Sequence, residues 1–129
     1  MNSLPDINVW LALTFSGHPH HASTLAWFDG QQGYLRLASN PRLFGSDLLS
    51  LPKAWKAYAL ALGDERIVFE SEPVGIEDEW RSLTSGESFS AKIWNDAFLA
   101  AFAKQSALQL VAFDRGFRRY PGLKLKLLS

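Results

Sequence analysis

Apolar residues in this chain fall into short runs broken by turn-forming residues, and the spacing inside each run sets the element it predicts. Residues 3–6 read as a short buried strand, and 8–14 as a short helix directly after it. "SGHPHH" is a turn by its Gly17 and Pro19, after which "HHASTLAWF" places Ala22, Leu25 and Ala26 on one helical face. "DGQQG" breaks that helix. "YLRLAS" then reads as further helical turns, ended at Asn40-Pro41 because the residue before a proline disfavours helix. "RLFGSDLL" is loop, and Ser50 is an N-cap with Pro52 tolerated in the first turn. The helix it starts carries Ala54, Trp55, Tyr58, Ala59 and Leu62 at 3–4 spacing until Gly63 ends it. Residues 66–69 are a strand, 75–83 a short acidic helix and 84–88 a loop. The strongest helix runs over 90–105, followed by a buried strand at 107–113 and a turn-rich loop at 114–122. An alternating segment, "LKLKLL", closes the series as an edge strand whose lysines guard against wrong pairing. Short buried strands separated by helices predict an α/β layer structure with a mainly parallel sheet.

Composition narrows what such a domain can be. The 129 residues suffice for one domain with its own core, so residues 1–129 are read as a single unit. A hydrophobic fraction of 47% with 20% charged is ordinarily globular. Thirteen basic and thirteen acidic side chains leave no net charge, so any polyanionic partner needs a local basic patch. With no cysteine there is no disulfide, thiolate metal site or cysteine nucleophile. No basic segment leads into a continuous apolar stretch at the N-terminus, and no apolar run approaches the ~20 residues of a membrane span. A cytoplasmic protein without a membrane partner is the expectation.

Against that pattern the placement of three carboxylates stands out. Asp6 closes the first strand and Asp114 directly follows "LVAF", so both fall where ligands collect in open parallel sheets, beyond the carboxyl ends of the strands. Asp96 interrupts a helix otherwise made of Trp, Phe, Leu and Ala. Each has an ordinary structural role open to it: Asp6 and Asp96 as helix caps, Asp114 as a turn former. Three carboxylates brought together would repel and raise one another's pKa unless a cation held them. A hard divalent ion, Mg²⁺ or Mn²⁺, with oxygen ligands resolves that, and points to metal-assisted hydrolysis of a phosphodiester.

The blocks "LPDINVWLALTFSGHPHH", "GYLRLASNPRLFG", "NDAFLAAFA" and "LVAFDRGFRRYPGL", in this order over nearly the whole chain, resemble the PIN-domain ribonucleases, and most of all the VapC toxins of bacterial toxin–antitoxin pairs. The resemblance implies a three-layer α/β/α sandwich with a mainly parallel sheet and a homodimer. It also implies Mg²⁺- or Mn²⁺-dependent endonucleolytic cleavage of RNA, and neutralisation by a cognate antitoxin. By the same resemblance Asp6, Asp96 and Asp114 are the catalytic metal ligands, with Asn8 a polar neighbour supporting Asp6. Where many relatives carry a further aspartate this chain has Gly116, and where they carry a small hydroxyl residue it has Ala112. Relatives also carry a loop and a strand between the "AWF" helix and the "GFLRL"-like segment, whereas here only Asp29, Gly30, Gln31 and Gln32 intervene, so the sheet is expected to be one strand short or completed from elsewhere. Gln31 falls where an acidic ligand stands in some relatives; its amide could offer an oxygen without charge, with Asp29 able to compensate.

RNA docking requires local positive charge, for which Arg36, Arg42, Arg115, Arg118 and Arg119 are candidates beside an alternative as solvated loop charge. Trp10, Phe44 and Phe117 could stack unpaired bases, although core packing is the more ordinary role. The "HPHH" cluster lacks zinc spacing and reads as a helix-entry loop, and "EDEW" as a solvated helix face. The departures at 31, 112 and 116 leave a second function class open, a PIN-like module that binds antitoxin or RNA without cutting.

Overall fold

In the computed structural model, which describes residues 2–31, 33–38, 51–86 and 88–129, five strands form one parallel sheet in the order β3-β2-β1-β4-β5. Strand β1 (Ser3–Pro5) leads through α1 (Ile7–Thr14) and α2 (His21–Asp29) to β2 (Leu35–Ala38). Helix α3 (Leu51–Leu62), β3 (Ile67–Glu70) and α4 (Ile76–Thr84) follow. Helix α5 (Ala91–Gln105) then runs into β4 (Gln109–Ala112), a 3₁₀ helix (Arg115–Arg119) and β5 (Leu125–Leu127).

Two apolar layers lie on the two sides of the sheet. Leu4, Leu110 and Ala112 pack with α5, and with Ile76, Trp80 and Leu83 of α4. Leu35 packs with Trp10 of α1, Phe28 of α2, and Ala57 and Ala61 of α3. This is the expected α/β/α sandwich. Ala97, Ala100, Ala101 and Ala103 are all fully buried, so α5 meets its neighbours on a seam of methyl groups that permits close approach. Helices α4 and α5 are further tied by the Trp80 indole N–H donating to the Trp94 carbonyl at 3.0 Å and by the Glu79–Lys104 ion pair. Trp10 and Phe117, 4% and 1% exposed, are core residues, so the base-stacking role open to them is withdrawn.

Residues 34–38 are not helical; Leu35–Ala38 form β2, paired in parallel with Ile67–Glu70 over four positions and with β1 at Ser3–Leu35. A run this short, with Arg36 its one charged side chain, fits either period, and it is the pairing with β1 and β3 that settles the choice. The sheet therefore has five strands, and the expected loss of one does not occur. Pro5 has no N–H to donate, and β1 pairs with β2 only at Ser3, whereas it pairs with β4 at three successive residues. Ser50, Arg42, Phe44 and the 42–49 loop lie outside the described residues. The "LKLKLL" segment supplies β5, an edge strand as its pattern predicts.

Candidate active site

The last residue of β1 is followed at once by α1, and Asp6 joins the two. Its N–H donates to the Val111 carbonyl of β4 at 2.8 Å, and its own carbonyl accepts from Val9 and Trp10 N–H. Its carboxylate accepts from Ile7 N–H at 2.8 Å, so Asp6 is the helix cap after all. It is only 7% exposed. On the neighbouring strand, Phe113 and Asp114 follow the end of β4, and the Asp114 carboxylate caps the 3₁₀ helix by accepting from Gly116 N–H at 2.7 Å. A Cβ at position 116 would lie 3.0 Å from that oxygen. Gly116 thus leaves room for the carboxylate where an aspartate was expected. Asp96 is not a cap: α5 starts at Ser90, whose hydroxyl accepts from Ile93 N–H, and Asp96 sits one turn further in beside the buried Ala97.

A cation already lies between two of these acids. The Lys92 ammonium donates to Asp96 Oδ2 and to Asp114 Oδ2, at 2.5 Å each. The i,i+4 spacing of Lys92 and Asp96 on α5 is the sequence signal that could have found it. The electrostatics follow. Burial first, and the charge of Asp96 second, push the Asp6 carboxyl up to about 7; Asp114 adds to the push, while Ile7 N–H and Lys92 oppose it. Burial also holds Asp96 above the ordinary carboxylate value, against the Lys92 hydrogen bond and the charges of Lys92 and Arg119. Asp114 is held below it, by the Lys92 hydrogen bond and then by Gly116 N–H. Burial would lower Lys92, but its bonds to Asp114 and Asp96 outweigh that and raise it.

The remaining expected residues divide. Arg119 acts on both Asp96 and Asp114 and belongs with them. Arg115 is exposed on the same 3₁₀ helix, whereas Arg118 lines a cleft of about 360 Å³ against Leu125 and Leu127 of β5. Arg36 lies in β2 and faces Glu70 at 3.6 Å, in a pairing of two strands and not of the acids. Asn8 is exposed on α1, and the bond to Asp6 comes from Ile7 instead. Gln31 is not brought to the acids. Between α2 and β2 the chain returns to the amino edge of the sheet, where Gln31 donates to the Trp27 carbonyl at 3.4 Å and Asp29 pairs with Arg66, the residue before β3. The parallel topology forces this, since β2 must start at the edge opposite the one where β1 ends.

A hard divalent cation suits these residues in donor type and in charge: three carboxylates, one of them buried and pushed toward neutrality for want of compensation. As they stand they do not close on a common point, and among the described residues no three His, Asp or Glu side chains do. Lys92 supplies the compensation for two of them.

The family model for the PIN domain matches residues 4–123, nearly the whole of this arrangement. The chain belongs to the PIN domain family. Among curated relatives, ribonuclease VapC41 of Mycobacterium tuberculosis is 41% identical over 143 positions, covering 98% of each chain. Since this chain has 129 residues, the 143 aligned positions include some of VapC41 that have no counterpart here. VapBC2 from Rickettsia felis, solved with a promoter DNA fragment, matches this PIN domain with a TM-score of 0.69 at 15% identity, covering 100% of both chains. M. tuberculosis VapC20, described as a sarcin–ricin loop cleaving toxin, matches with a TM-score of 0.68 at 16% identity, covering 96% of this chain and 98% of that one. At these two identities the likeness is one of fold.

Proposed function

We propose that this PIN domain is a Mg²⁺- or Mn²⁺-dependent endoribonuclease, the toxin component of a toxin–antitoxin pair. The observation that carries the reading is the set of carboxylates at the carboxyl edge of the sheet: Asp96 and Asp114 share the Lys92 ammonium, and Asp6 beside them is raised by burial first and by the charge of Asp96 second. The ribonuclease name of VapC41, at 41% identity over 98% of the chain, supports it. Asp6, Asp96 and Asp114 would hold the ion. When bound, it would supply Lewis-acid polarisation of a phosphate and acidification of water.

The chain's own groups do the rest. Arg119 offers a guanidinium beside the acids for the RNA phosphate, and Arg115 extends that charge along the 3₁₀ helix. Burial of Asp6 and its bond from Ile7 N–H fix its carboxylate in place, and the side chains of Asp96 and Asp114 would move to it on binding. On this reading the protein acts in the cytoplasm as a homodimer held in check by an antitoxin, and the VapBC2 structure among its structural neighbours supports the antitoxin partner. Among the described residues no helix is long and apolar enough to cross a membrane. Leu25, Tyr34, Trp55, Leu60 and Leu62 are exposed apolar side chains of the α1–α3 side, suited to an antitoxin helix.

A second reading, a module that binds without cutting, is favoured by Lys92, which already satisfies two of the acids. Mn²⁺ titration followed by electron paramagnetic resonance, with RNA cleavage measured alongside, separates the two. The nuclease reading expects one site lost in Asp6→Asn and in Asp114→Asn, with cleavage lost in parallel. Absence of Mn²⁺ binding, or cleavage indifferent to both changes, refutes it.

A further inference from the structure

The "HPHH" turn does more than enter a helix. Between α1 and α2, the His20 ring stacks on Phe113 with centroids 4.8 Å apart and planes inclined by 26°, and the His18 ring stacks on Phe113 at 6.2 Å and 20°. His18 and His20 stand 5.9 Å apart. Phe113 directly precedes Asp114 and belongs to neither apolar layer of the core; it is half-buried, as is His18, while His20 is exposed. The turn that carries the rings is fixed: His20 N–H donates to His18 Nδ1 at 3.1 Å, and the His21 ring bonds the Ala12 carbonyl at 2.7 Å. Three aromatic rings are thus held at the surface, one residue from a carboxylate of the acid cluster. His18 also lines a cleft of about 540 Å³ whose walls include Lys53 and Lys56, so positive charge continues beyond the rings.

We infer that His18, His20 and Phe113 form a stacking platform for one unpaired base of single-stranded RNA, the base of the nucleotide whose phosphate lies at the acids. The inference rests on the nuclease reading and deepens it. Aromatic faces at a protein surface hold single-stranded bases by stacking, and the preset turn spares the ordering of the rings on binding. Because every base has a π face, such a platform positions the strand with little regard to its sequence. Lys53 and Lys56 then serve the neighbouring phosphates on the side away from Asp114.

The test is fluorescence anisotropy with the shortest labelled single-stranded RNA that binds the full chain, in Ca²⁺ so that the acids keep a divalent ion, with gels showing that the strand stays intact and a single abasic site moved along it. His20→Ala removes an exposed ring that makes no capping bond, and Phe113→Leu keeps apolar bulk while removing the π face. Circular dichroism and the urea midpoint show that each variant is folded; if Phe113→Leu is not, His20→Ala decides alone. One abasic position is expected to weaken binding to the natural chain by roughly ten-fold, the size of one base–ring stack. Each folded variant should lose about as much on intact RNA and nothing more on the abasic one. A folded variant that binds intact RNA as the natural chain does, or that still feels the abasic site in full, overturns the platform and leaves the nuclease reading standing. A natural chain that binds no RNA of any length overturns both.

Discussion

Asparagine at position 6 would keep the shape of the residue and its capping bond to Ile7 while removing a buried charge. The size of the effect follows from linkage. The folded carboxyl is pushed up to about 7 from an ordinary 3.8, chiefly by burial and then by Asp96. Between those values the folded state binds the proton and the unfolded state does not, so stability falls as pH rises. The contribution is fully present below the unfolded value and gone above about pH 7. At about 1.4 kcal/mol per unit, the natural chain forgoes on the order of 4 kcal/mol at neutral pH, against a typical total of about 5–15. Asp6→Asn should therefore be the more stable of the two in EDTA at pH 8, and the difference should shrink toward zero as pH is lowered to 4. Urea unfolding at intervals of pH measures it. The acid-side loss of the Lys92 pairs is common to both proteins and cancels in the difference. Mn²⁺ should reverse the order, stabilising only the chain that retains Asp6. A difference that is flat with pH, or of opposite sign at pH 8, would refute the account of Asp6 as a buried acid awaiting a cation.

Lys92→Met, by freeing Asp96 and Asp114, should tighten Mn²⁺ binding in calorimetry by a few-fold, since exposed ammonium–carboxylate pairs are worth about 0–1 kcal/mol. Gln31→Glu should leave Mn²⁺ affinity unchanged within error, because the residue sits at the far edge of the sheet; a gain would show that α2 and β2 are joined differently. Ala100→Leu, at a position with no exposure on the α5 seam, should lower unfolding free energy by about 1–3 kcal/mol in urea as the helix is forced off its neighbours.

How much of this was legible beforehand depends on the reach of the interactions involved. Helix α5 and strand β4 could be read from sequence because their apolar content is dense and their boundaries are marked locally, by Ser90 as cap and by the turn at Asp114. The acids at 6 and 114 were legible for a related reason: a carboxylate at the end of a buried strand is placed by the strand. Strand β2 was not, since a four-residue run with one charged side chain has no period of its own and is set only by pairing with β1 and β3. Gln31 was misplaced because likeness to relatives ran along the sequence, whereas the chain's direction across the sheet decides which edge a link occupies. The Lys92–Asp96 spacing on α5 was local and legible, but the Lys92 bond to Asp114 and the His18–His20–Phe113 stack were not, because each joins segments distant in sequence.

The pairing of β1 with β4, Ser3 to Gln109 through Pro5 to Val111, has a consequence for synthesis. The strand that leads into Asp6 is made before α1 through α5, yet the neighbour that completes its flank, β4, is made only after them. Loop closure over that span is slow and gains nothing from local helix formation. The carboxyl edge of the sheet, with Asp6 after β1 and Asp114 after β4, is in this way assembled only once most of the domain has been made.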